Sequence, residues 1–488
     1  MSCDVVVIGA GFAGLSTATL LARLGRKVTL VEGEPRPGGC LRGYMREGVD
    51  CPVGVHYIGA AAPGEALGDF LDVLGIRPAL KLRRLGGSGV IDRYVFDDEV
   101  FDLPDTLEKF EASLGRRFAE APAAVAFVSN MCRAAMAGLR GEATRSRSTP
   151  PITKNAAEFL ADKNLPERLL DIVAVQGFLL GANLCDCPAS FLSVVTASLL
   201  MSAWELGCSG SAMAEALADS AHEAGVKLIV GDPVVAVDVA SGSASGVRLQ
   251  SGTALPAASV VAAIHPKTLA DLVPHEAYPL AYREGLGRLH ETEGSLCVVA
   301  LVDESHHPAE DHNVFRVRGI PRQKLEGVYT QLRPSGKPGT SRLIILRESL
   351  YADWSAWHDT QTGKRGPAYR AEKVRQAQLA LAEAEDALGP LHGAQIIDTW
   401  TPLTLRDWVG ALQGGTYGVR HSIRDGLDYL VLSRPPLDRL FLVGQNAIAP
   451  GLLGVSMGVL RVVAALAGRE ALRDLLAKNR QSHPQGGA

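Results

Sequence analysis

The chain has 488 residues, 47% of them hydrophobic, with 49 lysines and arginines against 53 aspartates and glutamates and a formal net charge of −4. That length exceeds one simple core and predicts two intertwined domains, or three, with room to bury a large ligand. The near-neutral balance lacks any basic run and argues against a nucleic-acid partner, and the 8 cysteines are scattered without zinc or disulfide spacing, which reads as reduced thiols in a cytoplasmic protein with no metal.

The first elements follow at once. Val5-Val6-Val7-Ile8 is a strand, Gly9-Ala10-Gly11-Phe12-Ala13-Gly14 a glycine turn, and the apolar run from Leu15 to Gly25 a helix. Asp4 stands directly before the strand, so no signal peptide is expected. Gly9 permits the tight turn, Gly11 lets the backbone approach a pyrophosphate, and Gly14 lets the helix pack on the sheet, with the helix start at Phe12 and Ala13 turned to the phosphates. A second strand over 27–31 ends at Glu32, whose carboxylate can accept from both ribose hydroxyls. An acid there disfavours a 2′-phosphate and favours FAD or NAD over NADP.

The organisation alternates along the chain. Residues 1–82 read as the first part of a nucleotide domain and 83–204 as the first part of a substrate domain, with short strands over 89–91 and 93–96, a polar helix over 106–118, a surface loop over 145–151, and helices over 156–180 and 189–204. Residues 205–284 return to the nucleotide domain through a helix over 212–224 and strands over 227–230, 234–239, 246–250 and 260–263. Residues 285–398 resume the substrate domain, with strands over 296–302 and 341–346 and a long helix over 368–388. Residues 399–478 close the nucleotide domain, and 479–488 read as a disordered tail. The apolar stretch 191–204 is too short to span a bilayer, and 447–466 carries Pro450, glycines and Arg461, so no transmembrane helix is expected. Peripheral membrane contact stays open, and oligomeric state is not read.

Four further segments carry a resemblance. They are Glu32 through Pro37-Gly38-Gly39-Cys40-Leu41-Arg42, then Asp50-Cys51-Pro52-Val53-Gly54-Val55-His56-Tyr57-Ile58-Gly59, then Gln413-Gly414-Gly415-Thr416-Tyr417-Gly418-Val419-Arg420-His421, and finally Val443-Gly444-Gln445-Asn446 with Pro450-Gly451-Leu452-Leu453-Gly454-Val455. Together with the opening fingerprint they resemble the phytoene desaturase, carotenoid isomerase and retinol saturase-like FAD-dependent oxidoreductases. The resemblance implies an α/β fold in which a discontinuous Rossmann-type FAD-binding domain carries an inserted α+β substrate domain, as in amine oxidases.

By that likeness Gly38 and Gly39 wrap the FAD phosphates, with Cys40 where many relatives place Arg and Arg42 two residues on. Val234, Gly444, Gln445, Gly454 and Val455 complete the implied FAD set. His56 and Tyr57 are implied near the flavin, either in the chemistry or in shaping the pocket. Tyr417 and His421 are the implied proton donors, against a packing aromatic and a surface histidine. The implied reaction is hydride transfer at flavin N5 on C=C bonds of a hydrophobic polyene, carotenoid, retinoid or polyketide. Reduction or reductive cyclisation is favoured, with desaturation or isomerisation as the alternative. NAD(P)H is the expected electron donor, although no second Gly-x-Gly-x-x-Gly stands between a strand and a helix. A flavin amine oxidase is a further alternative, but no tryptophan stands near Val443-Gly444-Gln445.

Overall fold

The computed structural model describes residues 3–142, 150, 153–422 and 434–482. Of the expected loop 145–151, only Pro150 lies within the described residues, and it is buried.

Two sheets of seven strands organise the molecule. The first runs Lys227–Val230, Val28–Glu32, Cys3–Ile8, Ala254–Ala262, Ser243–Leu249, Val234–Ala240, with Leu440–Leu442 also paired to Ala254–Ala262. Its core is parallel: Val5 stands opposite Val28 and Ser259, Leu228 opposite Leu30, and Val261 opposite Phe441. Val5, Val6 and Val7 are almost fully buried, as a parallel strand covered on both faces must be. Helices Phe12–Arg23, Gly210–Glu223 and Gly451–Ala467 supply the cover on one face.

The second sheet runs Gln395–Trp400, Gly294–Asp303, Thr340–Ser349, Glu326–Pro334, Asn313–Arg318, Val90–Val95, Val100–Pro104. All its pairings are antiparallel except Val90–Val95 with Asn313–Arg318, which sets Asp92 beside Asn313. Gly366–Leu388 packs on this sheet through Tyr369 and through Ala377, Ala380 and Ala384, three small side chains that let a long helix lie close. Among the described residues no helix is long and apolar enough to cross a membrane.

Three local expectations need correction. The helix over 156–180 is broken: Asn155 caps Ala156–Ala161 by accepting from the Glu158 N–H at 2.8 Å, Asn164 takes a left-handed turn, and Glu167–Ala174 starts after Pro166 and runs into a 3-10 turn. The helix over 189–204 ends at Met201, because Ser202 is extended and Ala203–Glu205 pairs as a strand with Ile58–Gly59 and Arg83–Arg84. The tail is ordered further than its composition suggests, since Arg469–Ser482 is helical and Arg480 pairs with Asp69 at 2.7 Å. The 18-residue helix Pro122–Leu139, which packs on Ala189–Met201, has no counterpart in the sequence reading.

Candidate active site

The C-terminal ends of the parallel strands open onto one cavity of about 1130 Å³. A single-ligand pocket measures roughly 300–1,000 Å³, so this space suits a large cofactor together with a substrate.

Its first limb is built from glycine turns. Gly9 leaves the strand with φ +93, and the Gly38 N–H donates to the Ala10 carbonyl at 2.7 Å, clamping the second glycine segment beside the first. A Cβ on Gly14 would stand 1.8 Å from the Gly9 carbonyl oxygen, so only glycine lets the helix start against the turn. Gly11 differs: the nearest atom to a Cβ there is Gly39 Cα at 3.9 Å, and the free space belongs to the cavity. Glu32 is held by the Ala10 N–H at 2.7 Å and the Glu34 N–H at 2.9 Å, presenting its carboxylate along the cavity wall.

Two helices begin on this cavity without a side-chain cap or an acid in the first turn, Phe12–Arg23 after Gly11 and Gly451–Ala467 after Pro450. Their free N–H groups and positive dipole ends suit negative charge on a ligand. That donor set fits FAD, whose pyrophosphate is anionic and whose ring edge accepts hydrogen bonds. Gly9, Gly11, Phe12, Ala13, Glu32, Gly38, Gly39, Cys40, Arg42, Val234, Gly444, Gln445, Gly454 and Val455 all line the cavity. Gly14 lies behind it, against Gly9. Arg42 is engaged within the protein, donating to the Gly39 carbonyl, to Glu34 at 3.3 Å and to the Trp408 carbonyl.

The second limb is apolar, walled by Phe178, Leu180, Phe191, Val195, Leu199 and Phe315. His56, Tyr57 and Tyr417 line the same cavity. His56 keeps some surface on the cavity but is otherwise enclosed. Loss of solvation, with Arg342 and Arg333 adding to it, pushes its imidazole down to about 4, and its Nδ1 has no hydrogen-bond partner among the described residues. Burial raises Tyr417 to about 12. Tyr57 donates to Asp92 at 3.1 Å and stacks on Tyr329 with ring centroids 6.0 Å apart. At neutral pH the imidazole and both phenols are therefore uncharged.

His421 is not among the cavity-lining residues. It is buried, 5.6 Å ring to ring from Phe191, which does line the cavity, and burial pushes it to about 4, so it is not a surface residue.

The sequence reading missed several contributors. Ser295 and Thr416 share a hydrogen bond of 2.7 Å on the cavity wall, and Trp400, whose buried Nε1 has no hydrogen-bond partner among the described residues, lines the same cavity. Asn446 accepts from the Val419 N–H at 2.8 Å and holds the Tyr417 segment. Its place after Gly444-Gln445 was the available signal. Tyr329 and Phe315 gave none, since a strand residue facing a cavity reads like one facing a core.

A nucleotide-type parallel sheet, two uncapped helix starts and an adjoining apolar limb define an FAD-dependent oxidoreductase. The profile described as flavin containing amine oxidoreductase matches residues 12–458, and the chain belongs to that family. It is 24% identical over 533 residues to the all-trans-retinol 13,14-reductase of Macaca fascicularis, covering 97% of this chain and 87% of that protein. It is 28% identical over 512 residues to the hydroxyneurosporene desaturase of Cereibacter sphaeroides, covering 97% of each. Within the family it is thus of the phytoene desaturase and retinol saturase-like kind. The solved structure of an oxidoreductase from Methanosarcina mazei superposes with a TM-score of 0.66 at 15% identity, covering 94% of this chain and 99% of that one, and shares the fold.

Proposed function

We propose that the protein adds hydrogen across a C=C bond of a hydrophobic polyene. The observation that carries this reading is a single cavity lined both by the glycine turns and by an apolar wall, with His56 and Tyr417 on its lining held neutral. Bound FAD supplies hydride chemistry at a carbon of a conjugated system.

The chain's own residues do the rest. Phe178, Phe191, Val195 and Phe315 hold an apolar chain and exclude water from it. Tyr417 and Tyr57 keep their phenolic protons and can give one to carbon, and neutral His56 can accept or donate one. Glu32 and the helix starts at Gly11 and Pro450 hold the cofactor. NAD(P)H as electron donor, an isoprenoid or polyketide polyene as substrate, and ring closure of the latter by reduction belong to the same reading. So does approach to a lipid surface, for which Trp408, Leu350 and Met457 stand exposed among the cavity-lining residues.

The test is anaerobic. NADPH should bleach the bound flavin, a polyene should restore its colour, and the product should gain two hydrogens by mass, with NMR reading any new ring. Loss of two hydrogens in an oxygen-dependent reaction would establish desaturation, the second reading, which the 28% identity to a desaturase favours. Hydrogen peroxide release from an amine would establish amine oxidation.

A further inference from the structure

Asp92 is a carboxyl with no solvent exposure in the middle of a strand, between two apolar clusters. A buried carboxylate is costly unless a cation or several donors compensate it. No cation touches this one among the described residues. Its oxygens accept from Asn313 Nδ2 at 2.8 Å and from the Tyr57 hydroxyl at 3.1 Å. The nearby cation, Arg333, spends its guanidinium on Glu205, on the His312 carbonyl at 3.0 Å and on Asn313 Oδ1 at 2.7 Å. Asn313 thus stands between the cation and the carboxyl, while Tyr57 stands between the carboxyl and the cavity.

The geometry points to Asp92 as the proton store of the site, re-protonating Tyr57 after its hydroxyl has delivered a proton to substrate carbon. This deepens the reductive reading and rests on it. One C=C bond takes a proton on one carbon from Tyr57, while its neighbour takes the hydride that bound, reduced FAD would supply. The Tyr57 O–H bond breaks as the C–H bond forms, the phenolate takes the proton of the Asp92 carboxyl, and the carboxylate left behind recovers a proton from water between turnovers.

The surroundings agree. Burial lifts Asp92 to about 6 against the hydrogen bonds of Asn313, Tyr57 and Gln176 and the charge of Arg333. The other ionisable groups facing it, Tyr94 and Tyr329, are phenols held neutral by burial. Asp92 therefore holds its proton below about pH 6, well above the range of an ordinary aspartate, and that proton has one exit toward the cavity, through Tyr57.

The experiment uses the full-length, FAD-loaded protein in two arms. Difference infrared spectroscopy without substrate should show a protonated carboxyl band that titrates near pH 6 and is absent from Asp92→Asn. In the second arm dithionite-reduced protein is mixed anaerobically with all-trans-retinol or a carotenoid. Flavin reoxidation should fall with rising pH through about 6, and Asp92→Asn and Tyr57→Phe should each be slower by about 10²-fold and lose that limb. Asp92→Glu should restore part of the rate. No titrating band, or an Asp92→Asn variant with the wild-type rate and pH profile, overturns the proposal. Wild-type protein inert to every polyene sinks the reductive function and delivery to carbon with it, while the infrared arm still decides whether Asp92 stores a proton.

Discussion

Gly418 lies with its Cα against the side chain of Asn446, so that a Cβ at Gly418 would stand 2.1 Å from Asn446 Oδ1. The same oxygen accepts from the Val419 N–H, and Gly418 has φ +73. A left-handed backbone costs a side-chain-bearing residue roughly 1–2 kcal/mol before any clash. Gly418→Ala should therefore displace Asn446 and Tyr417, lowering the flavin-to-protein ratio and the Tm together.

Gly11 and Gly14 make opposite demands, and the two substitutions separate fold from cofactor. Gly11 is extended and has open space beside it, so Gly11→Val should fold with a near-normal apoprotein Tm yet purify without the 450 nm absorbance of bound FAD. Gly14→Ala drives a methyl into the Gly9 carbonyl and should lower the apoprotein Tm itself. Equal thermal melts for the two apoproteins would contradict this division.

The apolar limb can be narrowed without touching the glycine turns. Val195 lines it from the helix Ala189–Met201, and Val195→Trp should raise the KM for a polyene at least about tenfold while FAD content stays unchanged. A loss of kcat at constant KM would place the polyene elsewhere.

His421 makes stability pH-dependent. Its ordinary value is 6.5 and burial lowers it to about 4 in the folded protein, so below pH 6.5 the unfolded chain binds the proton first and stability falls as pH drops toward 4. Asp92, raised from 3.8 to about 6, works in the other direction, losing stability as pH rises through that window. His421→Gln should shrink the difference in unfolding free energy between pH 7 and pH 5 by roughly 2 kcal/mol, read by urea denaturation at each pH.

The parallel core was legible because its signals are local. Four apolar residues run into Gly9-Ala10-Gly11-Phe12-Ala13-Gly14, and a second apolar run ends on Glu32, each within one turn of chain. The strand at 227–230 was legible for the same reason, and the structure sets it parallel to Val28–Glu32. The burial of His421 was not legible, because its spacing from Tyr417 says nothing about Phe191, which packs beside it from another part of the chain. Asp92 was silent because its meaning depends on Tyr57, Asn313 and Arg333, brought together by a pairing 221 residues apart. The break at Asn164 and Pro166 was written in the residues, and apolar periodicity overrode it.

The sheet that receives the dinucleotide is completed by Leu440–Leu442, which pairs with a strand that itself pairs with the first strand of the chain. A ribosome making this protein must release most of the polypeptide before that edge can close. Nascent chains stalled short of Leu440 should therefore emerge colourless even though they already carry the entire opening fingerprint.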